Sequence, residues 1–391
     1  MADKPTSIVA AILMGCTGVF AIMAQPILVE VLVAKLGMDG AAAGRITAFE
    51  ALGTALGPVL ALYWMTRVPW RVMGAAALAV VVGGNLLCAF ETDPTLLAAL
   101  RFLVGLLGEG TAFALAMAIV SGSAQKDRNF ALLIASQVLL GVGFFLTLPL
   151  PHDAGVAGVL LPLAGLALLA LLTVGWIPQP AAAGTHGAAA GHAGPIAPAL
   201  AALGVLAIWC TGLGALWAFV KLVGLSVTCP GCDEVAAAAA KVRVGQALGL
   251  STLIAVVGAL AAAALADRFG RILPVTIALG VQVVMVLLLQ GEMPWVQFAA
   301  TAATFQAFWN LTGPYMMGTV ALNDTTGRIS LLIPTAQIGG LFLGPTLVSV
   351  FMSDVGLVAV NRVSAACIAL ALVLFIPVAR RVSALKGGVG H

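Results

Sequence analysis

Arg128-Asn-Phe-Ala-Leu-Leu-Ile-Ala-Ser-Gln137 returns later in the chain as Arg328-Ile-Ser-Leu-Leu-Ile-Pro-Thr-Ala-Gln337, at an offset of 200 residues. Each stretch places an arginine and a glutamine nine residues apart around a mainly apolar segment. A second correspondence, at an offset of 201 residues, joins Thr66-Arg-Val-Pro-Trp-Arg71 to Asp267-Arg-Phe-Gly-Arg-Ile272. The second half of the chain therefore repeats the first.

The composition is that of an integral membrane protein. Apolar residues make up 62% of the chain and charged residues 8%, whereas a soluble domain has roughly 45–50% and about 25%. A stretch of about 20 apolar residues crosses the ~30 Å hydrocarbon core of a bilayer. Twelve stretches, six in each half, are long enough: 7–33, 40–65, 70–90, 95–121, 129–150, 156–177, 198–224, 240–265, 272–291, 295–320, 329–352 and 357–379.

These spans predict an all-α membrane protein with twelve transmembrane helices in two pseudo-symmetric six-helix bundles. Residues 178–197 are rich in Pro, Gly and Ala, and we expect them to link an N-terminal bundle, 1–177, to a C-terminal bundle, 198–391. Two copies of a helical membrane unit are typical of secondary transporters, which bind their substrate near the middle of the bilayer.

Basic residues are unevenly divided between the two ends of the spans. One side has eleven: Lys4, Arg67, Arg71, Lys126, Arg128, Arg268, Arg271, Arg328, Arg380, Arg381 and Lys386. The other side has five: Lys35, Arg45, Lys241, Arg243 and Arg362. The positive-inside rule then predicts a multi-pass protein of the cell inner (cytoplasmic) membrane with both termini cytoplasmic, and a first span that is retained. The net charge of +3 reflects this topology and indicates no nucleic-acid partner.

Ionisable side chains inside the predicted spans are the first candidates for function, because charge within a membrane is costly. Arg101 and Glu109 share the fourth span, with Gly105 and Gly108 between them, and Glu50 lies about seven residues inside the second. We expect these three side chains to carry proton coupling, with Glu109 as the first candidate proton carrier and Glu50 as the second. The alternative is a structural ion pair between Arg101 and Glu50.

Polar residues of both halves are predicted to meet at one depth. Adding the offset of 201 to Glu109 gives Asn310. Gln137 and Gln337 each follow a cytoplasmic arginine by nine residues, about 14 Å along a helix and close to the midplane. Together with three aromatic residues they form the predicted substrate site: Gln137, Gln337, Asn310, Trp309, Tyr315 and Trp217. The alternatives are hydrogen bonds between helices and aromatic packing.

Two motifs resemble those of the major facilitator superfamily. Ala263-Ala-Leu-Ala-Asp267-Arg-Phe-Gly-Arg271 is similar to the family loop G-x-x-x-D-R-x-G-R, with Ala263 in place of the first Gly. Arg101-Phe-Leu-Val-Gly105 is similar to the family pattern R-x-x-x-G. The resemblance implies alternating access, a monomer, a loop latch that involves Asp267, Arg268 and Arg271, and a role for Arg101 in proton coupling.

The predicted function is secondary active transport of a small organic solute, an amphiphilic organic acid or a zwitterion, coupled to protons and directed inward. The alternative is proton-driven efflux of hydrophobic or drug-like compounds, and a minor alternative is a metal-ion importer. All four histidines lie in predicted loops or at the C-terminus, so no enzyme site is expected. No cofactor is predicted, and the chain lacks the glycine loop of an ATP-driven pump.

Cys229-Pro-Gly-Cys232 lies in the predicted outward loop after the seventh span. A disulfide across the Pro-Gly turn would stiffen that loop, if the loop faces an oxidising compartment. A redox-active or metal-capturing pair is the other interpretation.

Glu30 and Lys221 lie near the outward ends of the first and seventh spans, which correspond in the repeat. We hypothesise that they pair as an outward gate, whereas separate snorkelling to the interface is the alternative. Reversing either charge alone is then expected to abolish solute uptake by proteoliposomes, and Glu30→Lys combined with Lys221→Glu is expected to restore it. Absence of rescue in the double variant would contradict the pairing.

Overall fold

The computed structural model describes residues 4–38, 40–146, 155–179, 196–265 and 268–387. Most of those residues are helical, and none of them is in a strand. The helices are α1 (Pro5–Leu36), α2 (Gly40–Trp64), α3 (Trp70–Cys88), α4 (Pro94–Ser121), α5 (Lys126–Leu146), α6 (Val156–Leu172), α7 (Ala197–Trp217, continued by Val220–Thr228), α8 (Glu234–Leu265), α9 (Ile272–Leu288), α10 (Trp295–Asn323), α11 (Ile333–Val355, preceded by a 3-10 turn at Ile329–Leu332) and α12 (Val358–Gly387).

The predicted twelve-helix architecture is confirmed in the described part of the chain, where each predicted span coincides with one helix. Two differences are local. Ala218 and Phe219 interrupt α7, which the sequence extends without a break to residue 224. The last helix continues to Gly387, beyond the apolar stretch that ends at residue 379.

Eight helices within the described ranges are long and apolar enough to cross a bilayer, and α6 and α9 are shorter apolar helices. The remaining two, α5 and α10, carry four of the six residues of the predicted substrate site. Gln137 lies on α5, whereas Trp309, Asn310 and Tyr315 lie on α10.

Glycines allow the backbones of α2 and α4 to touch. A Cβ atom on Gly57 would lie 2.6 Å from the carbonyl oxygen of Leu106 and 2.8 Å from the Cα of Gly110. A Cβ on Gly105 would meet the carbonyl oxygen of Glu50 and lie 2.9 Å from the Thr54 nitrogen. Gly53 and Gly57 form the small-xxx-small spacing that lets membrane helices approach closely. This contact places the side chains of α2 directly against those of α4.

The chain divides into two compact units. The first comprises Met1–Asn129, Leu139–Ile196 and Asp324–Ile338, and the second comprises Phe130–Val138, Ala197–Asn323 and Gly339–His391. The start of α11 thus packs within the first unit, where the Thr335 hydroxyl donates to the carbonyl oxygen of Ala55 at 2.7 Å. The predicted domains, 1–177 and 198–391, differ from these units only in the two short exchanged segments and the linker.

Cys229 and Cys232 are joined by a disulfide, with Cα atoms 5.4 Å apart. Gly231 between them has a φ of 70°, which a residue with a side chain adopts only with strain. A bonded pair has no thiolate to offer a metal, so the structure favours the stiffened loop over the metal-capturing pair.

Replacing Gly53 with Ala tests the contact between α2 and α4. The new Cβ would meet the carbonyl oxygen of Phe102 and lie 2.8 Å from the Leu106 nitrogen, and such overpacking costs about 1–3 kcal/mol. We expect the midpoint of thermal unfolding in detergent to fall by several degrees. Gly83→Ala is the matched control, because no atom lies within 4 Å of its Cβ position and alanine favours a helix by about 1 kcal/mol. Equal midpoints for the two variants would contradict the close approach.

Candidate functional site

Three charged side chains are completely buried in the first unit, on α2 and α4. Glu50, Arg101 and Glu109 each have 0% of their surface exposed. One terminal nitrogen of the Arg101 guanidinium forms an ion pair with Oε1 of Glu50, and the same nitrogen lies 3.7 Å from Oε1 of Glu109. We call these residues the charged triad. It sets two carboxylates against one guanidinium, so its net charge is −1 when all three groups are ionised.

Asn85 on α3 holds the other side of Arg101. Its Oδ1 accepts a hydrogen bond of 2.7 Å from the second terminal nitrogen of the guanidinium. Its own Nδ2 donates to the carbonyl oxygen of Val81 at 2.8 Å, which fixes the orientation of the amide. Sequence reasoning missed Asn85, although a single fully buried amide in an apolar span is itself a sign of a polar partner.

Thr54 connects the two acidic residues. Its hydroxyl oxygen lies 3.0 Å from Oε2 of Glu109 and 2.9 Å from the backbone carbonyl oxygen of Glu50. A hydroxyl has one proton to donate, so these two acceptors share it. Thr54 follows Glu50 by one helical turn, and this spacing would have been the signal in the sequence.

A π-helical segment lies between the two charges of α4, at Val104–Glu109. In an uninterrupted α-helix, residues eight positions apart point about 80° away from each other. A π turn adds one residue, so that eight residues complete about two turns and the side chains return to the same face. The π segment therefore brings Glu109 onto the face of α4 that carries Arg101. The sequence analysis did not predict this π segment.

The second copy of the repeat has no charged triad. At an offset of 201 residues, Glu50, Arg101 and Glu109 correspond to Ser251, Ala302 and Asn310. Asn310 is buried, and its Nδ2 donates to the carbonyl oxygen of Gln306 at 2.9 Å. The predicted symmetric partner of Glu109 thus makes a hydrogen bond within its own helix and meets no cation in the contacts described.

A buried amide network joins three helices of the second unit. The indole of Trp209 on α7 donates to Oε1 of Gln282 on α9 at 3.0 Å. The Gln282 amide nitrogen in turn lies 2.9 Å from the hydroxyl of Thr312 on α10 and 3.2 Å from the carbonyl oxygen of Phe308. These bonds hold the part of α10 that carries Trp309 against α9. The sequence analysis missed this network, because a lone Gln in α9 had no repeat partner to mark it.

Of the three aromatic residues of the predicted substrate site, two pack together and the third lies apart from them. Trp217 and Trp309 pack edge to face, with ring centroids 5.8 Å apart, and Phe305 packs on Trp309 at 6.2 Å. Trp217 is 44% exposed, so this cluster offers an accessible aromatic surface. Tyr315 is fully buried six residues beyond Trp309, about 9 Å along the helix axis. Its carbonyl oxygen accepts a 3.0 Å hydrogen bond from Arg271.

The two matched glutamines lie in different units. Gln137 is buried in the second unit. Gln337 is half-buried in the first, and its Oε1 has no hydrogen-bond donor among the described residues. An unpaired amide oxygen inside a membrane protein is available to a solute or to water.

The structure describes the side chains of three of the five residues predicted for gating, Lys221, Arg268 and Arg271. Arg271 is buried and reaches the Thr319 hydroxyl at 3.3 Å, in addition to Tyr315, so it joins the start of α9 to α10. Arg268 is exposed, and Gly270 has a φ of 63°, as the turn of the loop motif predicts. Asp267 lies outside the described residues, and so does the side chain of Glu30. Lys221 is exposed.

Solved structures similar to this one are those of transporters. The E. coli fucose:proton symporter is 15% identical with a TM-score of 0.69, over 95% of this chain and 98% of that chain. The human organic anion transporter MFSD10 is 17% identical with a TM-score of 0.72, over 95% of this chain and 100% of that chain. A bacterial homologue of the iron transporter ferroportin is 12% identical with a TM-score of 0.67, over 95% and 98%. At these identities the likeness shows the fold alone.

A search of curated protein sequences finds no significant match. The sequence profile of the Major Facilitator Superfamily, by contrast, matches residues 10–327, which is most of the chain. The chain therefore belongs to the Major Facilitator Superfamily of secondary transporters.

Proposed function

We propose that this transporter moves a small organic solute with a negatively charged group, an organic acid or a zwitterion, together with protons. The observation that carries the proposal is the pair of buried carboxylates on the single guanidinium of Arg101. A structural ion pair needs only one acid for one base. The second acid gives the triad a group that can accept a proton.

Charge balance links the proton to the solute. With both carboxylates ionised the triad has a net charge of −1, and one bound proton makes it neutral. Burying a net charge costs more than burying a neutral group of ions, so a closed state is favoured when one proton is present. An anionic solute bound at Arg101 replaces one carboxylate as the partner of the guanidinium and adds one negative charge. The loaded site is then neutral only when both carboxylates carry a proton, so solute binding favours the uptake of one more proton than the empty triad holds, and the solute and that proton move together.

The second unit has an accessible aromatic surface of its own. Trp217 and Trp309 form an accessible aromatic pair, and Asn310 is an amide adjacent to Trp309 in sequence. The names of similar structures support this chemistry, since they include a fucose:proton symporter and an organic anion transporter. Fucose and organic anions are the substrates named for those two proteins and not for this chain. For this chain we propose the charge type alone, with inward transport as the preferred direction and efflux of hydrophobic compounds as the alternative.

A metal ion is a weaker candidate for the solute. One similar structure is that of a ferroportin homologue. In the described ranges, however, no group of three His, Cys, Asp or Glu residues is placed to bind a metal. The two carboxylates of the triad face a guanidinium, and an arginine competes with a cation for the same oxygens.

Replacing Glu109 with Gln tests proton coupling. Glutamine keeps the size of the side chain and can still accept a hydrogen bond from Thr54, but it cannot bind and release a proton. We expect proteoliposomes with an internal pH dye to show solute-dependent proton flux for the wild type and at least about tenfold less for the variant, because a positioned acid or base contributes about 10²-fold or more to proton transfer. A panel of organic acids, amino acids and amphiphilic cations identifies the charge type.

Glu91→Gln is the matched control, because Glu91 is half-buried in the loop before α4 and its carboxylate accepts the backbone N–H groups of Thr92 and Asp93. Proton flux in this control should equal that of the wild type. Concentrative, pH-driven uptake that persists in Glu109→Gln would remove Glu109 as the proton carrier.

Asn85→Leu tests whether the amide positions Arg101. The variant leaves one guanidinium nitrogen without an acceptor, and a hydrogen bond to a buried charged group contributes about 1.5–3 kcal/mol. We expect about a tenfold higher KM for the anionic solute. Asn361→Leu removes a buried amide that donates to the carbonyl oxygens of Val286 and Leu289 and contacts no ion. If Asn361→Leu raises KM as much, Asn85 acts on stability alone.

A further inference from the structure

A cavity of about 300 Å³ opens at one end of the first unit, away from the charged triad. It lies between the start of α1, the start of α3 and the residues that follow α6, and its lining includes Lys4, Ser7, Arg71 and Trp176. We propose that this cavity binds the phosphate head group of an anionic phospholipid. The basic-residue count places this end of the unit on the cytoplasmic side of the membrane.

The walls of the cavity are built by hydrogen bonds that leave cationic groups facing inward. The Ser7 hydroxyl donates to the carbonyl oxygen of Trp176 at 3.0 Å, and Nε of Arg71 donates to that of Ile177 at 2.9 Å. Both bonds tie the end of α6 to the neighbouring helices. The terminal nitrogens of Arg71 make no hydrogen bond in the part of the chain that the structure describes, and Lys4 is exposed. Two cations therefore line one preformed cavity, and no acidic side chain is among its lining residues.

The two helices that begin here add to the positive charge. A helix N-terminus has a partial positive charge, which acidic residues in the first turn normally offset. Neither α1 nor α3 has an acidic residue in its first turn or a side-chain cap, and Lys4 itself is the N-cap of α1. The start of α4, by contrast, is capped by Asp93, whose carboxylate accepts from Leu96 N at 2.7 Å. The start of α1 and α3 is thus suited to an external anion.

Exposed apolar side chains next to the cavity favour a lipid over free phosphate. Val9 on α1, Val72 on α3 and Leu172 on α6 are all exposed, and each lies about one turn or less from a residue that lines the cavity. Trp176 is 46% exposed at the same level, as expected of an indole in the head-group region. A phosphate in the cavity would therefore have its acyl chains along an apolar surface. Clustered basic residues on the cytoplasmic side are a recognised mode of anionic-lipid binding.

Quenching of Trp176 by brominated lipid tests the proposal with the full-length protein. The protein is placed in phosphatidylcholine nanodiscs with increasing fractions of phosphatidylglycerol whose acyl chains carry bromine. The difference in fluorescence between the wild type and Trp176→Phe isolates the signal of this indole. We expect saturable quenching by brominated phosphatidylglycerol, and weaker, non-saturating quenching by brominated phosphatidylcholine.

Charge variants then identify the cations. The half-saturating fraction of phosphatidylglycerol should rise about fivefold for Arg71→Gln and about twentyfold when Lys4→Gln is added, from the attraction of each basic residue to an anionic lipid. Arg67→Gln is the matched control. Arg67 lies four residues before Arg71 but is held over the ring of Tyr63 at 3.7 Å and does not line the cavity, so its loss should change the half-saturating fraction by less than about twofold.

Three results would overturn the proposal. Equal quenching by the two brominated lipids would show that the head group is not recognised. Displacement of phosphatidylglycerol by millimolar inorganic phosphate would assign the cavity to a soluble anion. Selectivity for phosphatidylglycerol that appears only in Asp3→Asn would show that the anion bound in the cavity is the carboxylate of Asp3. Asp3 lies outside the described ranges. None of these measurements depends on solute or proton transport.

Discussion

Arg101 is a permanent positive charge in the interior of a membrane protein, and its neighbours provide what that charge requires. Water and lipid cannot solvate a fully buried guanidinium, so protein groups must. Glu50 comes from α2, Asn85 from α3 and Glu109 from the same helix as Arg101. The close approach of α2 and α4 at their glycines and the π turn of α4 both serve this arrangement. Without the glycine contact, Glu50 would lie too far from the guanidinium. Without the π turn, Glu109 would.

The two units differ in the side chains that they bury at corresponding positions. In the first unit the ionisable residues occupy the positions that the second unit fills with Ser251, Ala302 and Asn310. The second unit instead fixes its helices with neutral groups, through Trp209, Gln282 and Thr312. A neutral network does not change its charge during a transport cycle. The buried carboxylates of the described residues, Glu50 and Glu109, both lie in the first unit, so a change in their protonation would leave the hydrogen bonds of the neutral network as they are.

Sequence reasoning recovered the helices because a membrane imposes one length and one polarity on every span. It also found Arg101, Glu50 and Glu109, since ionisable residues are rare in such spans. It did not find the π turn, because no residue type specifies an added residue in a helix. It missed Asn85 and Gln282 because neither has a repeat partner, and the importance of each depends on a contact between helices. The offset arithmetic also overstated symmetry, because Asn310, the counterpart of Glu109, donates to the carbonyl oxygen of Gln306 in its own helix.

The position of Thr54 shows how the triad can change its charge without losing a hydrogen bond. Its hydroxyl has two acceptors at nearly equal distances, the Glu109 carboxylate and the carbonyl oxygen of Glu50. While Glu109 is ionised, the carboxylate is the stronger acceptor, because hydrogen bonds to charged groups are the stronger ones. When Glu109 gains a proton, the hydroxyl can turn to the backbone carbonyl, which remains in place because α2 is packed against α4. An unpaired buried hydroxyl would cost about 1–3 kcal/mol. Because Thr54 has a second acceptor, that cost is absent from both protonation states of Glu109.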